Sequence, residues 1–162
     1  RVGTTGAIQE FIDIGDVIIT SGSVRLDGAS THYAPIEYPA VAHYEILNAL
    51  IEGAKKVKAR YHVGVAASSD TFYPGEQRYD SFSKYVLRSF QGGTKEWQKL
   101  HVLNYEMESS TVLTLPASMG LRGGCITGVV NRCGTGKITQ EFLKSGEENV
   151  VKVAIAAVEY LI

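Results

Sequence analysis

Runs of β-branched and small residues alternate along this chain with segments of helical periodicity, and that alternation limits what it can fold into more than any other feature. Asp16 to Leu26 (DVIITSGSVRL), Tyr61 to Ser69 (YHVGVAASS) and Gly123 to Asn131 (GGCITGVVN) read as strands. Between the first two, Val41 to Lys56 carries Leu47, Leu50, Ile51 and Ala54 at i, i+3, i+4 and i+7, the spacing of one helix face, with Gly53 weakening its end. Val102 to Met107 reads as a further strand running into a helix over Glu108 to Ala117, which Pro116 should end or kink early. Phe82 to Phe90 and Thr94 to Leu100 are expected as short helices. Glu147 to Ile162 is expected as an amphipathic closing helix, its stripe running Val150, Val151, Ala154, Val158, Leu161. Strands separated by helices predict a layered α/β sandwich, one domain over residues 1–162.

Composition narrows the function classes. A net charge of -1 supplies no global basic field for nucleic acid, and no apolar run approaches the length of a membrane span. The two cysteines, Cys125 and Cys133, have no metal-ligand spacing, so free thiols in a reducing compartment, the cytoplasm, are expected. His32, His43, His62 and His101 show no pairing that suggests metal ligation. Gly134-Thr135-Gly136-Lys137 fails as a nucleotide-phosphate loop, because Asn131 stands where a glycine is needed and Ile138 where a hydroxyl is needed.

Three stretches remain as sites of chemistry. Arg1 to Gly6 (RVGTTG) joins a permanent cation, two hydroxyls and two glycines, the ingredients of a loop that binds an oxyanion; a plain turn is the competing reading. The loop DTFYPGEQRYDS concentrates Phe72, Tyr73, Glu76, Gln77, Arg78 and Tyr79, which suits a planar heteroaromatic ligand as well as a solvated loop. Glu106-Met107-Glu108 would place two carboxylates on one face of a strand. Such a pair could cleave a glycoside, start a helix, or hold a ribose diol while the methionine packs on the sugar.

RVGTTGAIQ, SVRLDGAS, VAASSDTFYPG with RYDS, and NYEMES, in this order, resemble the motifs of the nucleoside phosphorylase family, in its uridine-cleaving branch. The resemblance implies a three-layer α/β/α sandwich with a mixed central sheet. It also implies reversible phosphorolysis of uridine to uracil and ribose 1-phosphate. Arg1, Gly3 and Thr4 fall at phosphate-binding positions, and Thr4, Met107 and Glu108 at ribose-binding ones. Thr5, Gly6, Phe72, Glu76, Gln77, Arg78 and Glu106 fall around the base, while Asn131 and Arg132 open a flap; Arg1, Arg78 and Arg132 would be the catalytic cations. No metal and no organic cofactor are implied, only inorganic phosphate as co-substrate, with room for a structural monovalent cation at a subunit interface. The expected assembly is a homohexamer built from dimers. Family chains carry about a third more sequence before this point, so the sequence reads as lacking an N-terminal part that holds further phosphate-binding groups.

Breaking an N-glycosidic bond builds positive charge on the sugar and negative charge on the base, so the chemistry needs an anion near C1′ and donors at the base carbonyls. The purine-cleaving relatives place an acid where this chain reads Val130-Asn131-Arg132, which favours a pyrimidine. Two departures bear on the base. The family has Gln where Glu76 stands, and an ionised Glu accepts only and repels an anionic leaving group, unless Gln77 takes the role. The flap GVVNRCGTGKI is one residue shorter and less polar than the family's. A hydrolytic nucleosidase, which has no use for Arg1, and a non-catalytic nucleoside-binding protein are the alternatives; a glycosidase using Glu106 and Glu108 ranks below them.

Overall fold

The computed structural model describes residues 1–134 and 137–162. Thr135 and Gly136, which belong to the expected flap and to the rejected phosphate-loop match, lie outside the described residues. Six strands are described: β1 (Val2–Ala7), β2 (Val17–Leu26), β3 (Ala40–Val41), β4 (Tyr61–Ser69), β5 (Asn104–Glu106) and β6 (Cys125–Arg132). The described helices are α1 (Tyr44–Lys56), α2 (Gly93–Lys99), α3 (Ser109–Ser118) and α4 (Gln140–Val158).

The sheet is mixed, in the order β3-β2-β4-β5-β1-β6, and it closes: β6 returns to pair antiparallel with β2, from Val17↔Gly128 to Thr20↔Cys125. The long strand β2 makes this closure. Its first half bonds β6; beyond the register shift at Thr20/Gly22, Gly22 and Ser23 pair instead with β3. The pleat sends alternate residues to opposite faces. Val17, Ile19 and Ile126 pack against Ala49, Leu50 and Ala54 of α1 and Val150, Val153 and Ala157 of α4, whereas Ile18 and Val129 join Ala7, Ile12 and Leu103 in a second cluster. Each of the buried Val, Leu and Ile side chains among these contributes about 1.5–3 kcal/mol by leaving water.

Helix α4 reaches β6 because two glycines meet. A Cβ on Gly128 would lie 2.1 Å from the Gly146 carbonyl oxygen, so Gly128→Val would push the helix off the sheet. The helix begins at Gln140, seven residues before the expected start, where the Thr139 hydroxyl accepts a hydrogen bond from the Phe142 N–H. Its buried face is Gly146, Val150, Val153, Ala156 and Ala157; Val151 and Val158 of the expected stripe are exposed. Small residues on the buried side hid that face from a pattern based on bulk.

Three other expectations change. Val2–Ala7 is a strand, so most of its N–H groups serve the sheet rather than converging on an anion. Phe82 to Phe90 contains only a single 3-10 turn, Arg88–Phe90. Pro116 neither ends nor shortens its helix by much: α3 continues two residues beyond it, because a proline in the last turn breaks only one ladder bond. Among the described residues, no helix is long and apolar enough to cross a membrane, and Cys125 and Cys133 are free.

Candidate active site

Where β5 ends against the middle of β1, the two strands and the loop after β4 enclose a cleft. Thr4, Thr5 and Gly6 come from β1, Glu106 to Glu108 from the end of β5, and Phe72 and Glu76 from the loop. Arg1 closes one end, and Val130, Asn131 and Ile138 line the β6 side.

The arginine end is tied together by its own side chains and backbone. Glu106 is buried, and its carboxylate accepts hydrogen bonds from the Ser109 N–H at 2.8 Å, the Glu108 N–H at 3.0 Å and the Ser109 hydroxyl. These N–H groups open α3 and have no partner within the helix, so Glu106 satisfies the helix start and favours its dipole. The strand therefore stops at Glu106 and turns. Glu108 is the N-cap of α3, with its carboxyl group half exposed in the cleft. The two acids do not share a strand face as the spacing suggested. What they share is Arg1: its Nε lies 2.9 Å from Glu108 Oε2 and 3.2 Å from Glu106 Oε2, and Nη2 also meets Glu108. Nη1 lies over Gly3, where a Cβ would be 1.8 Å from it, so only glycine leaves the guanidinium that path. A fully engaged Glu106 is a poor general acid or base, which removes the physical ground for a two-carboxylate glycosidase.

On β1, the Thr5 hydroxyl donates to the Tyr105 carbonyl and accepts from Asn104 Nδ2 at 2.7 Å, so it holds β1 to β5. Thr4 and Gly6 also line the cleft. Gly6 faces Asn131 and Cys133; a Cβ there would come within 2.7 Å of Asn131 Oδ1.

The other end is aromatic and carries a different kind of carboxyl group. Phe72 forms the wall, edge-on to Tyr73, and the Arg78 guanidinium lies 4.6 Å from the Phe72 ring centroid. Arg78 is not itself among the lining residues: its fork bonds Asp80, Nε at 3.0 Å and Nη2 at 2.6 Å. Gln77 also points elsewhere, its Oε1 accepting from the Thr94 N–H at 3.1 Å. Glu76 does face the cleft, 6% exposed. Burial pushes its carboxyl group up to about 8; Arg78 opposes this, while the nearby Glu106 and Glu108 add to it.

Of the residues singled out by sequence, Arg1, Thr4, Thr5, Gly6, Phe72, Glu76, Glu106, Met107 and Glu108 line one cleft. Gly3, Gln77, Arg78 and Arg132 do not. Arg132 extends along the outside of the sheet, 3.2 Å from Asp13 and 3.4 Å from the Gln9 carbonyl. The lining residues Tyr105, Val130 and Ile138 carried no chemical signal in the sequence, since apolar walls look like core. Among the described residues, no cluster of three or more His, Cys, Asp and Glu is placed to hold a metal.

A cleft with an arginine held between two carboxylates at one end and an aromatic wall at the other offers a fork of donors and a ring face, which suits a ligand pair, an anion and a flat ring, and so belongs to a class of proteins that handle both together. Over residues 1–162 the chain matches the Phosphorylase superfamily, and it belongs to that family. It is 54% identical over its whole length to the uridine phosphorylase of Escherichia coli (strain K12), covering 64% of that protein. It is 43% identical over 99% of its length to the uridine phosphorylase of Thermococcus kodakarensis, covering 56% of it. A guanosine phosphorylase of Halorubrum lacusprofundi is 33% identical over 78% of this chain and 46% of its own. The chain thus spans about two thirds or less of the length of these relatives.

Proposed function

We propose that the protein catalyses reversible phosphorolysis of uridine, giving uracil and ribose 1-phosphate. The observation that carries this reading is the joining of Arg1, Met107-Glu108 and Phe72-Glu76 in one cleft, in a chain half identical to uridine phosphorylases. A phosphate oxygen forms its bond to C1′ as the C1′–N1 bond breaks, and the bonding electron pair leaves with the base. Phosphate is both nucleophile and the charge that stabilises the sugar cation. Arg1, with Thr4 and the Gly3 approach, holds it; Glu108 accepts from the ribose hydroxyls while Met107 packs on the sugar. Phe72 stacks on the base, Thr5 and Gly6 form the floor beside it, and Arg78 acts on the ring wall through Phe72. Arg132 and Gln77 reach the substrate only if their loops rearrange. The expected co-substrate is inorganic phosphate, without metal or organic cofactor, and the expected setting is the cytoplasm. The complete protein is read as a three-layer α/β/α domain in a homohexamer of dimers, as its resemblance to the nucleoside phosphorylase family implies.

The test is uracil release from uridine by the full-length protein, with and without inorganic phosphate, following the sugar product as well. Release that requires phosphate and yields ribose 1-phosphate is expected. Phosphate-independent release would make the protein a nucleosidase, and binding without release would make it a nucleoside-binding protein.

A further inference from the structure

The base end of the cleft contains a carboxyl group without a counter-ion. Resting on the reading of the cleft as a nucleoside site, we propose that Glu76 recognises the base as a neutral carboxylic acid, its O–H donating to a ring carbonyl and its C=O accepting from the adjacent ring N–H. The geometry leaves it that role. Glu76 is buried in the cleft wall beside Phe72, and no hydrogen bond or ion pair engages its carboxyl group among the described residues. The obvious cation, Arg78 on the same loop, has its fork filled by Asp80. The amide that could have substituted, Gln77, is turned to Thr94.

Every other group facing Glu76 favours the neutral form or leaves it unchanged. Glu106 on β5 and Glu108 at the start of α3 are like charges, and Arg1 is already shared between them. Tyr105 on β5 and Cys133 after β6 are pushed up by burial and carry no charge near neutrality. Burial therefore outweighs the remaining pull of Arg78. A neutral carboxyl group offers one donor beside one acceptor, the pattern of an amide, and it complements an imide edge in which N–H stands next to C=O. A carboxylate would offer only acceptors, leave the carbonyl unpaired, and oppose the charge that develops on the departing base. Glu76 thus does the work of an amide for as long as it keeps its proton.

The experiment compares wild type with Glu76→Gln in the full-length protein, measuring kcat/KM for uridine at saturating phosphate between about pH 6 and pH 10. Ionisation of the substrate ring affects both proteins equally, so the informative quantity is the ratio of variant to wild type. That ratio should rise about tenfold per pH unit above the ionisation of Glu76 near 8. A ratio that stays flat over the range overturns the proposal while leaving uridine phosphorolysis intact. Infrared spectroscopy reads the proton apart from any activity. A protonated-carboxyl band at neutral pH that disappears in Glu76→Gln supports the proposal, and its absence from wild type overturns it whether or not uridine is cleaved.

Discussion

The two ends of the cleft hold their acids in opposite ways. At the arginine end, Glu106 and Glu108 sit where β5 turns into α3, and each finds a positive partner: helix N–H groups for Glu106, and Arg1 for both. At the aromatic end, Glu76 sits on a loop whose cation has been taken by Asp80 and whose amide has been taken by α2. Burial does not separate the two ends, since Glu106 is as deeply buried as Glu76. The local supply of donors does: Glu106 has helix N–H groups and Arg1, and among the described residues Glu76 has neither. On the proposed reading, one cleft presents fixed charge to the sugar and phosphate and a neutral hydrogen-bonding edge to the base.

The largest effect is expected at the charged end. Arg1→Ala removes the guanidinium proposed to hold the attacking anion, and it should lower phosphate-dependent kcat/KM by about 10²–10³ while changing nucleoside binding far less. Initial rates against phosphate and against uridine separate the two; unchanged phosphate dependence would remove Arg1 from the anion site. Glu108→Gln should come next. Losing a charged acceptor for the ribose hydroxyls is expected to cost about tenfold to a hundredfold in kcat/KM for uridine. A loss as large as that of Arg1→Ala would mean that Glu108 acts chiefly by orienting Arg1, and the comparison would then need only one residue at that end.

How much of this the sequence shows depends on what kind of interaction places each residue. Tyr61–Ser69 carries its strand boundaries openly, in β-branched residues bounded by polar turns. The closure of β2 on β6 has no local signal, because it depends on a strand that divides its bonds between two neighbours, and the seating of α4 on β6 has none because it depends on a glycine pair 18 residues apart. In the cleft, the identity of the lining residues could be read from motifs, but their states could not. Spacing put Glu106 and Glu108 on one face only if the strand continued, and the helix start at Ser109 ends it. The departure at Glu76 reads as a defect in base recognition only if its carboxyl group is ionised. The groups that surround it, Tyr105, Glu106, Glu108 and Cys133, come from distant parts of the chain.

The unpartnered state of Glu76 also has a stability consequence. Its folded value, about 8, lies above the ordinary value of 4.5. Below 4.5 the group is protonated in both states and burial costs nothing through ionisation. As pH rises from 4.5 to 8, the unfolded chain gains by ionising while the folded chain does not, so stability falls; above 8 the deficit is constant. Glu76→Gln removes the ionisation and should raise the melting temperature at alkaline pH, on the order of 10 °C, with the gain vanishing as pH falls toward 4.5. Thermal denaturation of both proteins across that range checks the sign. A gain independent of pH would indicate better packing of the amide rather than relief from a buried acid.

The smallest effect belongs to the neighbour that faces away. Gln77 adopts a left-handed conformation, φ +57°, and its side chain braces the first turn of α2 through the Thr94 N–H. Gln77→Ala gives up that hydrogen bond, about 1 kcal/mol of stability, and should raise the KM for uridine much less than Glu76→Ala does. Urea denaturation and uridine kinetics on the two variants place the base contact on one residue or the other. If Gln77→Ala proved the more damaging to KM, the loop would have to turn over when the base binds, bringing the amide in and the acid out. The contrast between the two ends would then belong to this one arrangement of the loop.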